Sequence, residues 1–242
     1  MRIPRIFTGQ ALAPDQVLDL EPGPGQHVAR VLRMKPGDPL VLFDGSGGEF
    51  SATLQALEKK RVTVVLGERR GREAESPLWI HLGIAVSRGE RMDWVMQKAT
   101  ELGASAITPL LTERTEVRLA GERSDKKLRH WRQVTISACE QCGRNRLPLL
   151  NQPQPVGEWL QDTQADYRLV LHHRAPSSPL PAGAPASLAL LVGPEGGLSA
   201  VEIDRAEAAG YKSLALGPRV LRTETAPLAA LAILQARWGD MA

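Results

Sequence analysis

Two short stretches of the chain hold residue types that can do chemistry. Leu190-Leu191-Val192-Gly193-Pro194-Glu195-Gly196-Gly197-Leu198-Ser199 is an apolar run that empties into a glycine-rich loop and then opens a helix. Ser199 and Glu202 have the S-x-x-E spacing of a capping box, which marks the helix start. Glycines in such a loop remove side chains where something must come close to the backbone. Leu216-Gly217-Pro218-Arg219-Val220-Leu221-Arg222-Thr223-Glu224-Thr225-Ala226 repeats the plan, again between an apolar run and a helix. Thr223 or Thr225 can cap that helix. Capping leaves Arg219 and Arg222 unexplained, and two such loops at like ends of parallel strands predict one concave polar site.

Three other features have structural explanations. Asp44-Gly45-Ser46-Gly47-Gly48 resembles a cofactor-binding turn, but such a turn must open a helix. A second strand-like run follows instead, so a hairpin turn is predicted. Cys139 and Cys142 form a C-x-x-C, yet a zinc site needs about four ligands and the chain has only 2 cysteines. Both lie on a helical stripe with Leu128, Trp131, Thr135 and Ala138 and read as small core residues. His172 and His173, adjacent at a strand end, point to opposite sides, so no metal is expected.

The elements that must position the two loops fall into two regions. Residues 1–70 read as a small antiparallel barrel or sandwich, with a short helix at His27–Met34 and strands at Pro39–Phe43, Glu49–Leu57 and Arg61–Leu66. A polar linker, Glu68–Ser76, precedes a second domain over residues 76–242. There strands (Trp79–Val86, Ala106–Leu111, Arg168–His172, Ser187–Val192, Ser213–Leu216) alternate with helices (Arg91–Leu102, Ser124–Gly143, Ser199–Ala209, Thr225–Trp238). Such alternation predicts an α/β fold with a parallel sheet covered on both faces. Leu147–Pro155 and residues 175–185, both rich in proline, are expected as exposed loops.

At 43% hydrophobic and 24% charged residues the composition is that of a soluble globular protein. No apolar run approaches the roughly 20 residues that span a bilayer, and the N-terminus lacks a signal-peptide pattern, so a cytoplasmic protein without membrane contact is expected. The net charge of +3 says little. Residues 113–146, however, hold nine Lys or Arg against five acids. That concentration suits a phosphate backbone, with Arg114, Lys126, Lys127, Arg129 and Arg144 as candidate RNA contacts, though a solvated helix face explains the charges equally well.

GPEGGLS followed by LGPRVLRTETA resembles the signature pair of the SPOUT 16S rRNA uridine-N3 methyltransferases. Gln97-Lys98-Ala99-Thr100-Glu101-Leu102-Gly103 and Glu140-Gln141-Cys142-Gly143-Arg144 extend the resemblance across essentially the whole chain. It implies a C-terminal parallel α/β SPOUT domain tied in a deep trefoil knot, an N-terminal PUA-like β-barrel that helps grip RNA, and a homodimer. It also implies S-adenosylmethionine bound mostly by backbone around Leu171, His172, Gly193, Glu195, Gly196, Gly197, Leu216, Gly217 and Leu221. Cys139 and Cys142 depart from the pattern, standing where small residues such as Ala and Ser are usual.

The implied reaction methylates N3 of a uridine in 16S rRNA, within the small ribosomal subunit. Arg222 is the candidate to stabilise negative charge on the uracil. Glu224, Glu195 and Glu101 are all candidates for the base, with Glu224 placed first, and each can equally be a structural carboxylate. Two rival readings are a SPOUT enzyme acting on tRNA or a ribose 2′-hydroxyl, and a non-catalytic RNA-binding assembly factor. The last helix, with Leu228, Leu231, Ile233, Leu234 and Trp238, is too apolar to lie open, and a partner chain is its expected cover.

Overall fold

The structure is a computed structural model that describes residues 3–59, 61–117, 119–172 and 178–241. The chain forms two compact units, one of residues up to Glu75 together with Cys139–Leu147, the other of Ser76–Ala138 with residues from Pro148 onward.

In the first unit five strands form one sheet in the order β1-β3-β4-β5-β2. They are β1 (Arg5–Phe7), β2 (Val17–Asp19), β3 (Pro39–Phe43), β4 (Glu49–Leu57) and β5 (Val62–Arg70). The predicted hairpin is there: β3 and β4 pair antiparallel, and Gly45, Gly47 and Gly48 take the positive φ that the turn between them requires. The sheet is not wholly antiparallel, because β1 pairs parallel to β3. Helix α1 (Pro22–Gln26) runs into a π-helical turn, His27–Val31, where one short helix was expected over His27–Met34. Leu40, Leu42, Leu54, Val64 and Leu66 fill the core.

A buried polar network belongs to the same unit. Arg5 pairs with Glu49 and its Nη2 donates to the Arg144 carbonyl at 3.3 Å. Arg144 donates from Nη2 and Nε to Glu75 Oε2 at 2.6 and 3.1 Å. Cys139 is buried, its thiol pushed up to about 12 by desolvation, and it donates to the Arg146 carbonyl. That environment fits a small packing residue rather than a reactive thiol.

The second unit carries a sheet in the order β12-β10-β11-β6-β7-β8, with β9 also on β7 and every pairing parallel. Its strands are β6 (Trp79–Ala85), β7 (Ala106–Leu111), β8 (Leu149–Leu150), β9 (Gln154–Pro155), β10 (Tyr167–Leu171), β11 (Ser187–Val192) and β12 (Lys212–Leu214). Its helices are α2 (Glu90–Glu101), α3 (Glu122–Cys142), whose last residues join the first unit, α4 (Val156–Asp162), α5 (Ala200–Ala208) and α6 (Ala226–Trp238). Pleating sends alternate residues of β11 to opposite faces. Leu188, Leu190 and Val192 pack with Val95, Met96, Trp131, Leu231 and Leu234, while Ala189 and Leu191 pack with Val156, Trp159 and Ala206.

Strands β8 and β9 stand where only a loop was expected, and α4 follows directly in a stretch for which no element was expected. Of the second proline-rich loop, residues 175–177 lie outside the described residues, as do Arg118 and His173. The last helix buries Leu231, Leu234 and Trp238 within its own unit, so a charge at Leu231 would break the core rather than probe a dimer. Ile233 is its exposed large apolar side chain, at 48%.

Trp159 lies against Gly83, where a Cβ would come within 2.5 Å of the indole, and its Nε1–H donates to His81 Nε2 at 3.3 Å. Thr108 Oγ1 lies 2.7 Å from the same nitrogen. Burial lowers the His81 pKa from 6.5 to about 4. The unfolded chain therefore takes the proton first as pH falls, and the stability of the neutral imidazole, complete above pH 6.5, is lost progressively through pH 4. Urea unfolding at pH 7.5 and 4.5 should show the wild type losing roughly 2–3 kcal/mol more than His81→Gln over that interval. Parallel losses would remove His81 as the cause.

Candidate active site

Because β10, β11 and β12 are adjacent and parallel, the segments that leave their carboxyl ends converge. They enclose a cavity of about 350 Å³. Its apolar lining is Leu171, Val192, Leu198, Leu214, Leu216, Val220 and Leu221, and its polar lining includes His172, Glu195, Arg219, Arg222, Thr223 and Glu224. A slot of apolar side chains with a few convergent charges is the usual form of a small-molecule site. Of the expected cofactor contacts, Leu171, His172, Gly193, Glu195, Gly197, Leu216 and Leu221 line it, and so do Arg222 and Glu224.

Gly196 and Gly217 do not line the cavity. A Cβ on Gly196 would meet the Arg114 stem at 3.3 Å, so a side chain there would press on Arg114 and not on a ligand. Gly193 and Gly197 serve the loop itself. A Cβ on Gly193 would lie 3.0 Å from the Leu198 backbone nitrogen, and Gly197 has φ +69° and donates to the Pro194 carbonyl at 2.8 Å. The capping box is present: Ser199 Oγ accepts from Glu202 N–H and the Glu202 carboxylate accepts from Ser199 N–H. On the second loop, neither threonine caps α6. The Arg222 carbonyl instead accepts from Thr225 and Ala226 N–H, both at 2.9 Å.

The candidate carboxylates sort by their partners. Glu195 meets Arg91 Nη1 at 2.9 Å, and Glu224 lies 4.0 Å from Arg91 Nε. Glu101 is on α2, paired with Lys98, and does not line the cavity. Arg91 also lines the cavity and went unnoticed in the sequence. It opens α2 just after β6, and β6 is the neighbour of β11. Only the strand order brings it to the site, and spacing does not disclose strand order.

The expected RNA contacts divide. Lys126, Lys127 and Arg129 are exposed along α3. Arg114 donates from Nη1 to the Gly196 carbonyl at 2.8 Å, beside the glycine loop. Arg144 is not at that surface: it is 4% exposed, with its guanidinium committed to Glu75.

Comparison with known proteins places this geometry. The family described as RNA methyltransferase domain matches residues 74–235, and the RNA methyltransferase PUA domain matches residues 25–67. The ribosomal RNA small subunit methyltransferase E of Buchnera aphidicola subsp. Schizaphis graminum is 34% identical over 99% of this chain and 98% of its own. The Bacillus subtilis protein of the same name is 32% identical over 86% of this chain and 85% of its own. A Legionella pneumophila methyltransferase solved with bound S-adenosylmethionine has a TM-score of 0.96 at 45% identity, covering 99% of this chain and 100% of that one. The Neisseria gonorrhoeae ribosomal RNA small subunit methyltransferase E, also bound to S-adenosylmethionine, gives 0.92 at 37%, covering 100% of both. The chain belongs to the RNA methyltransferase family that includes the ribosomal RNA small subunit methyltransferases E, as the resemblance of its two signature loops implied.

Proposed function

We infer that this protein methylates N3 of a uridine in 16S rRNA with S-adenosylmethionine, and that the cavity at the carboxyl ends of β10, β11 and β12 holds the cofactor. The observation that carries the reading is the convergence of the two signature loops on one cavity with an apolar slot and a charged rim. The residues present fit the cofactor: the leucine and valine walls suit a flat base, and the Glu195 carboxylate suits its cationic end. When bound, it supplies an electrophilic methyl group on a sulfonium. Leu171, His172, Gly193, Glu195, Gly197, Leu216 and Leu221 would hold it. N3 of uracil carries a proton between two carbonyls, and Arg222 on the rim is the group to stabilise the charge that develops when that proton leaves. Positioning supplies most of the rest of the rate.

Residues 1–70 form, in this reading, the PUA-like RNA-gripping domain, and residues 76–242 the SPOUT domain. The resemblance of the two signature loops to those of the SPOUT enzymes supports a trefoil knot in which the C-terminal segment is threaded. Exposed Trp94 on α2 and Ile233 on α6 support a homodimer that covers these two helices, and the substrate would be rRNA within the small subunit in the cytoplasm.

Nucleosides from rRNA of cells lacking the protein should lack 3-methyluridine by mass spectrometry. An Arg222→Ala protein should restore it poorly, with kcat down about 10²–10³-fold. Unchanged 3-methyluridine would refute the assignment. Replacing Lys126, Lys127 and Arg129 by alanine should flatten the salt dependence of RNA binding by about 0.7 per lost contact, and an unaltered slope would make them solvated charges only. In sedimentation at micromolar concentration the wild type should run as two chains and Ile233→Asp as one, whereas a monomeric wild type sinks the dimer.

A further inference from the structure

Arg91 is a cavity-lining residue that neither signature loop supplies. Its Nη1 donates to Glu195 Oε1 at 2.9 Å, and its Nε lies 4.0 Å from Glu224 Oε2. One guanidinium thus hydrogen-bonds a carboxylate of the first loop and stands at the outer limit of ion pairing from a carboxylate of the second, the two loops that build the cavity. Gly197 N–H to the Pro194 carbonyl and Arg114 Nη1 to the Gly196 carbonyl shape the first loop, and Thr225 and Ala226 N–H to the Arg222 carbonyl shape the second. They set the form of each loop and not the distance between the two.

We propose that Arg91 is a positioning residue that ties the β11–α5 loop to the β12–α6 loop across the cavity, with Glu195 and Glu224 as its anchors and neither as the base. This rests on the methyl-transfer reading above. A planar guanidinium with five donors can direct bonds to two carboxylates at once, which the point charge of a lysine does less well. The Arg91 and Glu195 side chains are 43% and 40% exposed, and pairs so exposed contribute little to folding. Their effect falls on the spacing of the loops. That spacing sets where Arg222 stands relative to anything bound against Gly193–Leu198, and a displacement of about 1 Å at a reacting centre costs on the order of 10²-fold.

The test uses the full-length protein as wild type, Arg91→Ala, Arg91→Lys, Glu224→Gln and the Arg91→Ala/Glu224→Gln double variant. Each is melted, titrated with S-adenosylmethionine by calorimetry, and assayed on small-subunit rRNA across pH. Arg91→Ala should melt as the wild type does yet lose about 10²-fold in cofactor affinity and kcat combined. Arg91→Lys should recover part of that loss, and the double variant should lose no more than Arg91→Ala alone. Glu224→Gln keeps an acceptor oxygen for Arg91, so it should lose no more than a few-fold and keep the wild-type pH profile, where a lost general base costs about 10²–10⁴-fold. Wild-type affinity and kcat in Arg91→Ala, or a loss of the larger size with an altered pH profile in Glu224→Gln, would overturn the clamp. A wild type that neither binds the cofactor nor methylates uridine would instead overturn the reading on which the clamp rests, before any variant is compared.

Discussion

Glu202 is buried at the start of α5, and both oxygens of its carboxylate are engaged: one accepts from Ser199 N–H and the other from Glu113 N–H, each at 2.8 Å. A carboxylate in such a place is costly unless donors meet it, so these bonds persist as long as the fold does. The first closes the glycine loop at its exit. The second fixes the start of the β7–α3 connection, and Arg114, next along the chain, then reaches the Gly196 carbonyl at 2.8 Å. The glycine loop is held from two sides by groups anchored in the interior, which gives the cavity one rigid wall.

The parallel sheet determines which segments can take part in the site. Its apolar strands were legible because buried parallel strands read as nearly continuous runs, and Ala106–Leu111 and Ser187–Val192 emerged with their boundaries intact. Strands β8 and β9 were not legible, since two residues among prolines carry no period. Nor was α4, at seven residues with Gly157 inside it and Pro155 as its N-cap. Its reason for existing is Trp159, which fills the space that Gly83 leaves on the sheet. That contact joins residues 76 positions apart, beyond any local pattern.

Charge misled the sequence reading in one instructive place. Arg144 counted toward a basic surface because its neighbours in sequence are basic. Its carboxylate partner, Glu75, is 69 residues away and pairs with it inside the unit that also holds Arg5 and Glu49. Lys126, Lys127 and Arg129 lie on a helix whose apolar stripe was readable, so their exposure followed from the period alone. An arginine outside a regular element has no such guide.

The glycines of the first loop read in the sequence as room for a ligand, and most of that room is used by the loop. Gly193 admits the backbone of Leu198, Gly197 supplies a positive φ, and Gly196 adjoins Arg114. The signature therefore encodes a tight turn first, and cofactor access follows from the turn's shape. On the second loop the logic is reversed. There the turn into α6 is closed by the Arg222 carbonyl, a backbone group, so no side chain of Arg219, Arg222 or Thr225 is spent on capping. Conformation uses up the first loop's residues and leaves those of the second available for chemistry. This is why the arginines, and not the glycines, are the residues whose replacement should separate catalysis from folding.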